Sequence, residues 1–177
     1  MKIVAFVPAK SVSTRVPGKN SRLLGAYPLF ERALRKLASL PEIDQVYLDS
    51  ETLDMWTAYL SRVHPDDPVR KKIRFHQRDA SLATNEVDGN AMMAANFAAC
   101  PSADIIVQHL CTSPFIEAST ISGAIQSVIA SIASGEKVCS SVAMSREKRY
   151  SWANHEGVFS PCYASGGDKV PNSSTLP

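Results

Sequence analysis

Short apolar runs alternate along the chain with longer segments in which apolar residues return every three or four positions. "KIVAFV" at 2–7 ends at Pro8 and reads as a strand buried on both faces. Residues 28–40, "PLFERALRKLASL", read as a helix, with Pro28 suited to its first turn and Leu29, Ala33, Leu37 and Leu40 on one side. "DQVYLD" at 44–49 is a second strand. "ETLDMWTAYLSRV" at 51–63 is a second helix, with Leu53, Trp56, Leu60 and Val63 together and Pro65 as its stop. "KIRFHQ" at 72–77 is a third strand. Residues 86–100 form a helix with Val87, Ala91, Ala94, Ala95 and Ala98 on the inner face. "ADIIVQHL" at 103–110 is a fourth strand. The helix after it, 117–135, carries the cleanest stripe (Ile121, Ile125, Val128, Ile129, Ile132) and ends at Gly135. "KVCSSVAM" at 137–144 is a fifth strand.

Strand and helix alternating in this way predict an α/β fold with a mainly parallel sheet. Ligands of such sheets bind beyond the carboxyl ends of the strands, where strand order reverses. The pattern assigns 1–144 to this domain. Residues 145–177 are rich in Gly, Pro, Ser and Asn and lack sustained periodicity. They read as an extended arm packed on a partner or as a disordered end, with one short strand in "GVFSPCY".

Composition narrows the class. At 177 residues and 45% hydrophobic content, the chain can bury a real core. No apolar run reaches bilayer length, and the start lacks the form of a signal peptide, so a cytoplasmic location is expected. Cys100, Cys111, Cys139 and Cys162 show no metal or redox spacing and read as reduced thiols.

Charge changes the picture more. The net charge is only +2, yet residues 1–30 contain five Lys/Arg and no acid. A basic skew confined to one loop points to a small anion rather than to nucleic acid. That loop leaves the first strand with Lys10, Arg15, Lys19 and Arg22, interleaved with Ser11, Ser13, Thr14 and Asn20, while Gly18 permits close backbone approach. Cations and backbone donors so placed suit a polyphosphate, whose charge they neutralise as a pyrophosphate leaves. A solvated basic loop is the plain alternative, and the position after the first strand weighs against it. Neither G-x-x-x-x-G-K-[ST] nor G-x-G-x-x-G occurs.

"VPAKSVSTRVPGKNSRLLGAYPL" resembles the opening signature of the CMP-sialic acid synthetase (acylneuraminate cytidylyltransferase) family, P-A-R-x-x-S-x-x-x-P-x-K-N followed by Gly and Pro-Leu. Pro8, Ala9, Ser13, Pro17, Lys19, Asn20, Gly25, Pro28 and Leu29 fall in register. Lys10 stands where the family has Arg, keeping the charge and losing the bidentate fork. "VYLDSETL" resembles the second-strand segment closed by Asp49. "RDASLATN" is similar to R-x-x-x-L-A-x-D, with Arg78, Leu82 and Ala83 matching and Asn85 in place of Asp. "VQHLCTSPFI" is similar to L-Q-x-T-S-P-L through Thr112, Ser113 and Pro114. The family's Gln falls at Leu110, and Gln108 lies two residues earlier, on the same strand face by periodicity. His109 then faces the other way, as a structural residue.

The resemblance implies a three-layer Rossmann-like nucleotidyltransferase that transfers CMP from CTP to sialic acid or a related acidic sugar, releasing pyrophosphate. It implies Lys10 and Lys19 as catalytic cations, and Ala9, Lys10, Arg15, Lys19, Asn20, Arg78 and Gln108 around the nucleotide. It places Thr112 and Ser113 near the sugar, and Mg²⁺ with the phosphates. Asp49 and Asp104 are the nearest acids to strand positions, with no motif tying either to metal, and Asp104 begins its strand. A homodimer is implied, with the arm from Ser145 reaching a second subunit; Lys148 and Arg149 are candidates for the sugar acid. The late Asp-x-Asp motif of complete members has no counterpart here, so slow turnover is expected. The alternatives are a catalytically impaired nucleotide-binding paralogue and a nucleotidyltransferase for another sugar.

Overall fold

The structure, a computed structural model, describes residues 1–84, 87–136, 152–155 and 158–161. The chain divides into two compact units, Met1–Ser141 and Val142–Pro177. In the first, four strands form one parallel sheet: β1 (Ile3–Pro8), β4 (Gln45–Ser50), β5 (Ile73–Gln77) and β6 (Ile105–Gln108), in the order β5-β4-β1-β6. All six residues of β1 are buried, as a central strand covered on both faces requires. Val4 to Pro8 pair with Gln45 to Asp49, and Ile3 to Phe6 pair with Ile105 to Gln108. The chain moves from β1 outward to β4 and β5, then returns to the other side of β1 for β6. Strand order therefore reverses at β1, and the crevice beyond the carboxyl ends of β1 and β6 is the place for a ligand.

One face of the sheet carries the main core. Ala5, Val7, Val46, Leu48, Ile73 and Ile105 pack there with Leu34 and Leu37 of α1 (Leu29–Ala38), Met55 and Tyr59 of α2 (Asp54–Leu60), and Ile121 and Ile125 of α5 (Ala118–Ala133). On the other face Phe6 stacks on Tyr47 with ring centroids 5.0 Å apart. There Met92, Ala95 and Asn96 of α4 (Gly89–Ala99) line a cleft with Asp49 and His76. Helices thus flank a parallel sheet on both faces, as the alternating pattern predicts.

Three details depart from the pattern. The helix expected over 51–63 is split: α2 ends at Leu60, and a separate short helix, α3 (Pro68–Lys72), starts where Asp67 accepts a hydrogen bond from Val69 N. Leu53 lies before α2 and is exposed, while Tyr59 is fully buried. A small hairpin of β2 (Leu23–Leu24) and β3 (Tyr27–Pro28) turns at Gly25, whose φ of 67° favours glycine. On α4 the expected inner face is only partly inward: Ala95 lines the cleft, while Ala91, Ala94 and Ala98 are exposed and Asn96 is buried. A helix apolar on nearly every side gives periodicity nothing to choose between. The expected strand over 137–144 lies outside the described residues. In the second unit, β7 (Trp152–His155) pairs antiparallel with β8 (Val158–Pro161). No helix among the described residues is long and apolar enough to cross a membrane.

Candidate functional site

The basic loop begins where β1 ends. Its first residues are pinned: Ala9 N donates to Asp49 O at 2.9 Å, which continues the β1–β4 seam by one bond. Ser11 then donates through both N (2.7 Å) and Oγ (2.6 Å) to Glu51 Oε1. Burial pushes the Glu51 carboxyl up, but these bonds from Ser11 and its own backbone outweigh that and hold it below the usual carboxylate range. A left-handed Gly18 (φ 62°) leads into a single 3-10 turn, Lys19–Ser21, which brings Lys19 and Asn20 back toward the strand ends.

Asn20 is buried and both ends of its amide are engaged. Nδ2 donates to Lys10 O at 2.9 Å, and Oδ1 accepts from Cys111 Sγ at 3.1 Å. It therefore ties the loop after β1 to the turn after β6, across the point where strand order reverses. Both polar ends of the amide expected to meet the nucleoside are thus engaged within the protein in this structure. Lys10 and Lys19 are half-buried in this loop, and Arg15 is exposed. Burial pushes the Cys111 thiol up to about 11, with Lys19 nearby opposing it, so the thiol stays protonated as a donor.

Arg78 and Asp49 form the second cluster. Arg78 is 5% exposed and Asp49 2%. The guanidinium donates to Asp49 Oδ2 through Nε (3.1 Å) and Nη2 (2.8 Å), and Nη2 also reaches Asp49 O at 2.7 Å. His76 Nδ1 lies 3.0 Å from Asp49 Oδ1. Asp49 thus uses both carboxylate oxygens inside the protein. Asp104 accepts from Lys2 N at the amino end of β6, away from the loops. Among the described residues no group of three His, Cys, Asp or Glu side chains could hold a metal ion. Of the two acids nearest strand positions, Asp49 is engaged by Arg78 and His76, and Asp104 lies at the opposite end of the sheet.

The segment after β6 corrects one expectation. The strand ends at Gln108, so its alternation does not extend to Leu110, which lies 46% exposed in the following turn. Gln108 is half-buried opposite Phe6, and its Nε2 is buried without a hydrogen-bond partner. Thr112 is exposed and Ser113 half-buried, in the turn closed by Ser113 N donating to Leu110 O. Lys36 of α1 holds the next residues, donating to the carbonyls of Pro114 and Ile116. Asn85, Lys148 and Arg149 lie outside the described residues.

His109 is buried just past the end of β6, and its Nε2 has no hydrogen-bond partner. Burial first, and Lys36 second, push its imidazole down to about 4. An unfolded His binds its proton near pH 6.5, so between about 6.5 and 4 the unfolded chain holds more protons. Stability carried by the neutral ring is complete above about pH 6.5 and is lost as pH falls toward 4. Urea midpoints at pH 7 and pH 4.5 should differ more in the native chain than in His109→Gln. Equal differences would mean that the ring is protonated in the fold.

Sequence reading missed Glu51, His76 and Cys111 as parts of this region. A signal for Glu51 existed: it follows a strand parallel to the one that feeds an acid-free basic loop. The placement of His76 against Asp49 depends on β4–β5 register and has no local signal.

Residues 4–154 match the family model described as Cytidylyltransferase. None of the curated proteins matches the sequence significantly. Among solved structures, the chain is similar to a CMP:2-keto-3-deoxy-manno-octonic acid synthetase complexed with CTP, at 16% identity and a TM-score of 0.59 over 75% of this chain and 49% of that one. It is also similar to a cytidylyltransferase from Leptospira borgpetersenii serovar Hardjo-bovis (strain JB197), at 16% identity and a TM-score of 0.53, over 73% of this chain and 50% of that one. The chain spans about half the length of these structures.

Proposed function

The chain belongs to the cytidylyltransferase family, and from that premise we propose that it binds CTP and transfers CMP to an acidic sugar. The observation that carries the reading is the basic loop, pinned by Asn20 and Glu51 at the strand-order reversal. In this reading Lys10, Arg15 and Lys19 face the triphosphate. Gln108 supplies an unpaired amide donor for an acceptor on the cytosine ring; a buried donor without a partner calls for such an explanation. Arg78, fixed on Asp49, shapes the wall beside the nucleoside, and Thr112 and Ser113 meet the sugar.

The anomeric hydroxyl of the sugar acid attacks the α-phosphorus of CTP, and the bond to the bridging oxygen breaks as pyrophosphate leaves. The protein contributes positioning and charge stabilisation, since the displacement needs little covalent help. A 2-keto sugar acid is the substrate class, supported by the similarity to a synthetase of that kind. Sialic acid is one such sugar. Mg²⁺ accompanies the nucleotide phosphates in this proposal, and no step is derived through it. A homodimer and a cytoplasmic location complete the reading.

Thermal protection tests it. CTP should raise the melting temperature more than ATP, GTP or UTP, because a ligand that binds only the folded state stabilises it by about 2.7 kcal/mol at a hundredfold excess over its dissociation constant. Equal shifts with all four nucleotides would leave only a polyphosphate site. Pyrophosphate release with a panel of 2-keto sugar acids then identifies the acceptor.

A further inference from the structure

We infer that Glu51 is a positioning residue for the triphosphate loop, holding Lys10 in place through Ser11. This rests on the nucleotide reading above. β1 and β4 are parallel neighbours in register as far as Pro8 and Asp49. Ala9 N extends the seam to Asp49 O, and there the backbone pairing stops. Glu51 takes over with its side chain, accepting both donors of Ser11 on one oxygen. Its own backbone is held in turn, because Gln77 Nε2 at the end of β5 donates to Glu51 O at 2.7 Å.

The Lys10–Ser11 peptide is therefore held at both its carbonyl and its N–H. Asn20 bonds the carbonyl, and Glu51 bonds the N–H. A chain of contacts runs from β5 through β4 to the loop of β1, by way of Gln77, Glu51 and Ser11. Placement matters more for a lysine than for an arginine, since an ammonium is a point charge on a flexible stem and lacks a planar fork. Fixing its backbone lowers the ordering cost at the moment a phosphate arrives. Charge-assisted acceptance from N–H and O–H groups is strong enough to hold such a turn.

The test is calorimetric titration of the 177-residue chain with CTP and with cytidine, for the native protein, Glu51→Ala and Glu51→Gln, beside urea melts of all three. In Glu51→Ala, CTP should weaken about tenfold or more while cytidine changes by less than about twofold. In Glu51→Gln, whose amide oxygen still accepts from Ser11, CTP should stay within about threefold of native. Equal weakening of both ligands in Glu51→Ala would show a role in general shape and overturn the inference. Tighter CTP binding in Glu51→Ala would also overturn it, showing that the carboxylate competes with phosphate for the Ser11 donors. So would Glu51→Gln behaving like Glu51→Ala, because charge rather than acceptance would then be responsible. A native chain that fails to bind CTP sinks the nucleotide reading and this inference with it. Native binding left unchanged in Glu51→Ala sinks the inference alone.

Discussion

Arg78→Ala should lower the unfolding free energy by about 3–5 kcal/mol, the usual cost of removing one partner from a buried ion pair. Asp49 is 2% exposed, and Arg78 supplies both contacts to its Oδ2. Truncation leaves a buried carboxylate with His76 on its other oxygen alone. Folded domains have only about 5–15 kcal/mol in hand, so the loss is a large fraction of the total stability. Urea denaturation measures the loss, and adding Asp49→Ala to Arg78→Ala should restore part of it by removing the stranded charge. A loss under about 1 kcal/mol would show the pair to be solvated and worth no more than a surface bridge. The result also sets the terms for any ligand study of Arg78, because weaker CTP binding by this variant has a folding component.

Lys19→Ala should weaken CTP by about 1.5–3 kcal/mol, the range for a hydrogen bond to a charged group, or roughly 10- to 150-fold. Cytidine, which has no phosphates, should bind as before. Lys19 opens the 3-10 turn at the reversal point, its N donates to Val16 O, and its charge lies close enough to Cys111 to act on the thiol. Alanine keeps the backbone bond and removes the ammonium, so the loop should hold its course. Titration with the two ligands separates the cases. Parallel weakening would assign Lys19 to the shape of the loop and remove it from the phosphate site.

The two clusters differ in how far the sequence shows them. The basic loop is local: its cations, hydroxyls and Gly18 are contiguous, and the strand before it is marked by an apolar run ending in Pro8. Its position at the ligand end of the sheet follows from strand and helix alternating. The Asp49–Arg78–His76 cluster joins residues 27 and 29 positions apart. A resemblance marks Arg78 as belonging near the nucleoside, yet no local pattern shows that its guanidinium is turned onto Asp49. Asn20 is similar, since its type and place are legible while its orientation is set by Lys10 and Cys111, the latter 91 positions away.

By itself the sequence determined what repeats along the chain: the four strands of the parallel sheet, most of the helices and a cationic loop after β1. Those depend on short-range periodicity and on charge, which neighbouring residues carry between them. Tertiary structure alone decided which side of α4 faces inward, because a helix apolar on nearly all sides has no preferred face until a sheet is laid against it. It also decided that β6 stops at Gln108, that Glu51 rather than a residue of the loop holds Ser11, and that Asp49 is committed to Arg78 and His76. Each of these is a contact between segments whose separation is set by strand order and register, and a hydrogen bond has direction only once both partners are in place.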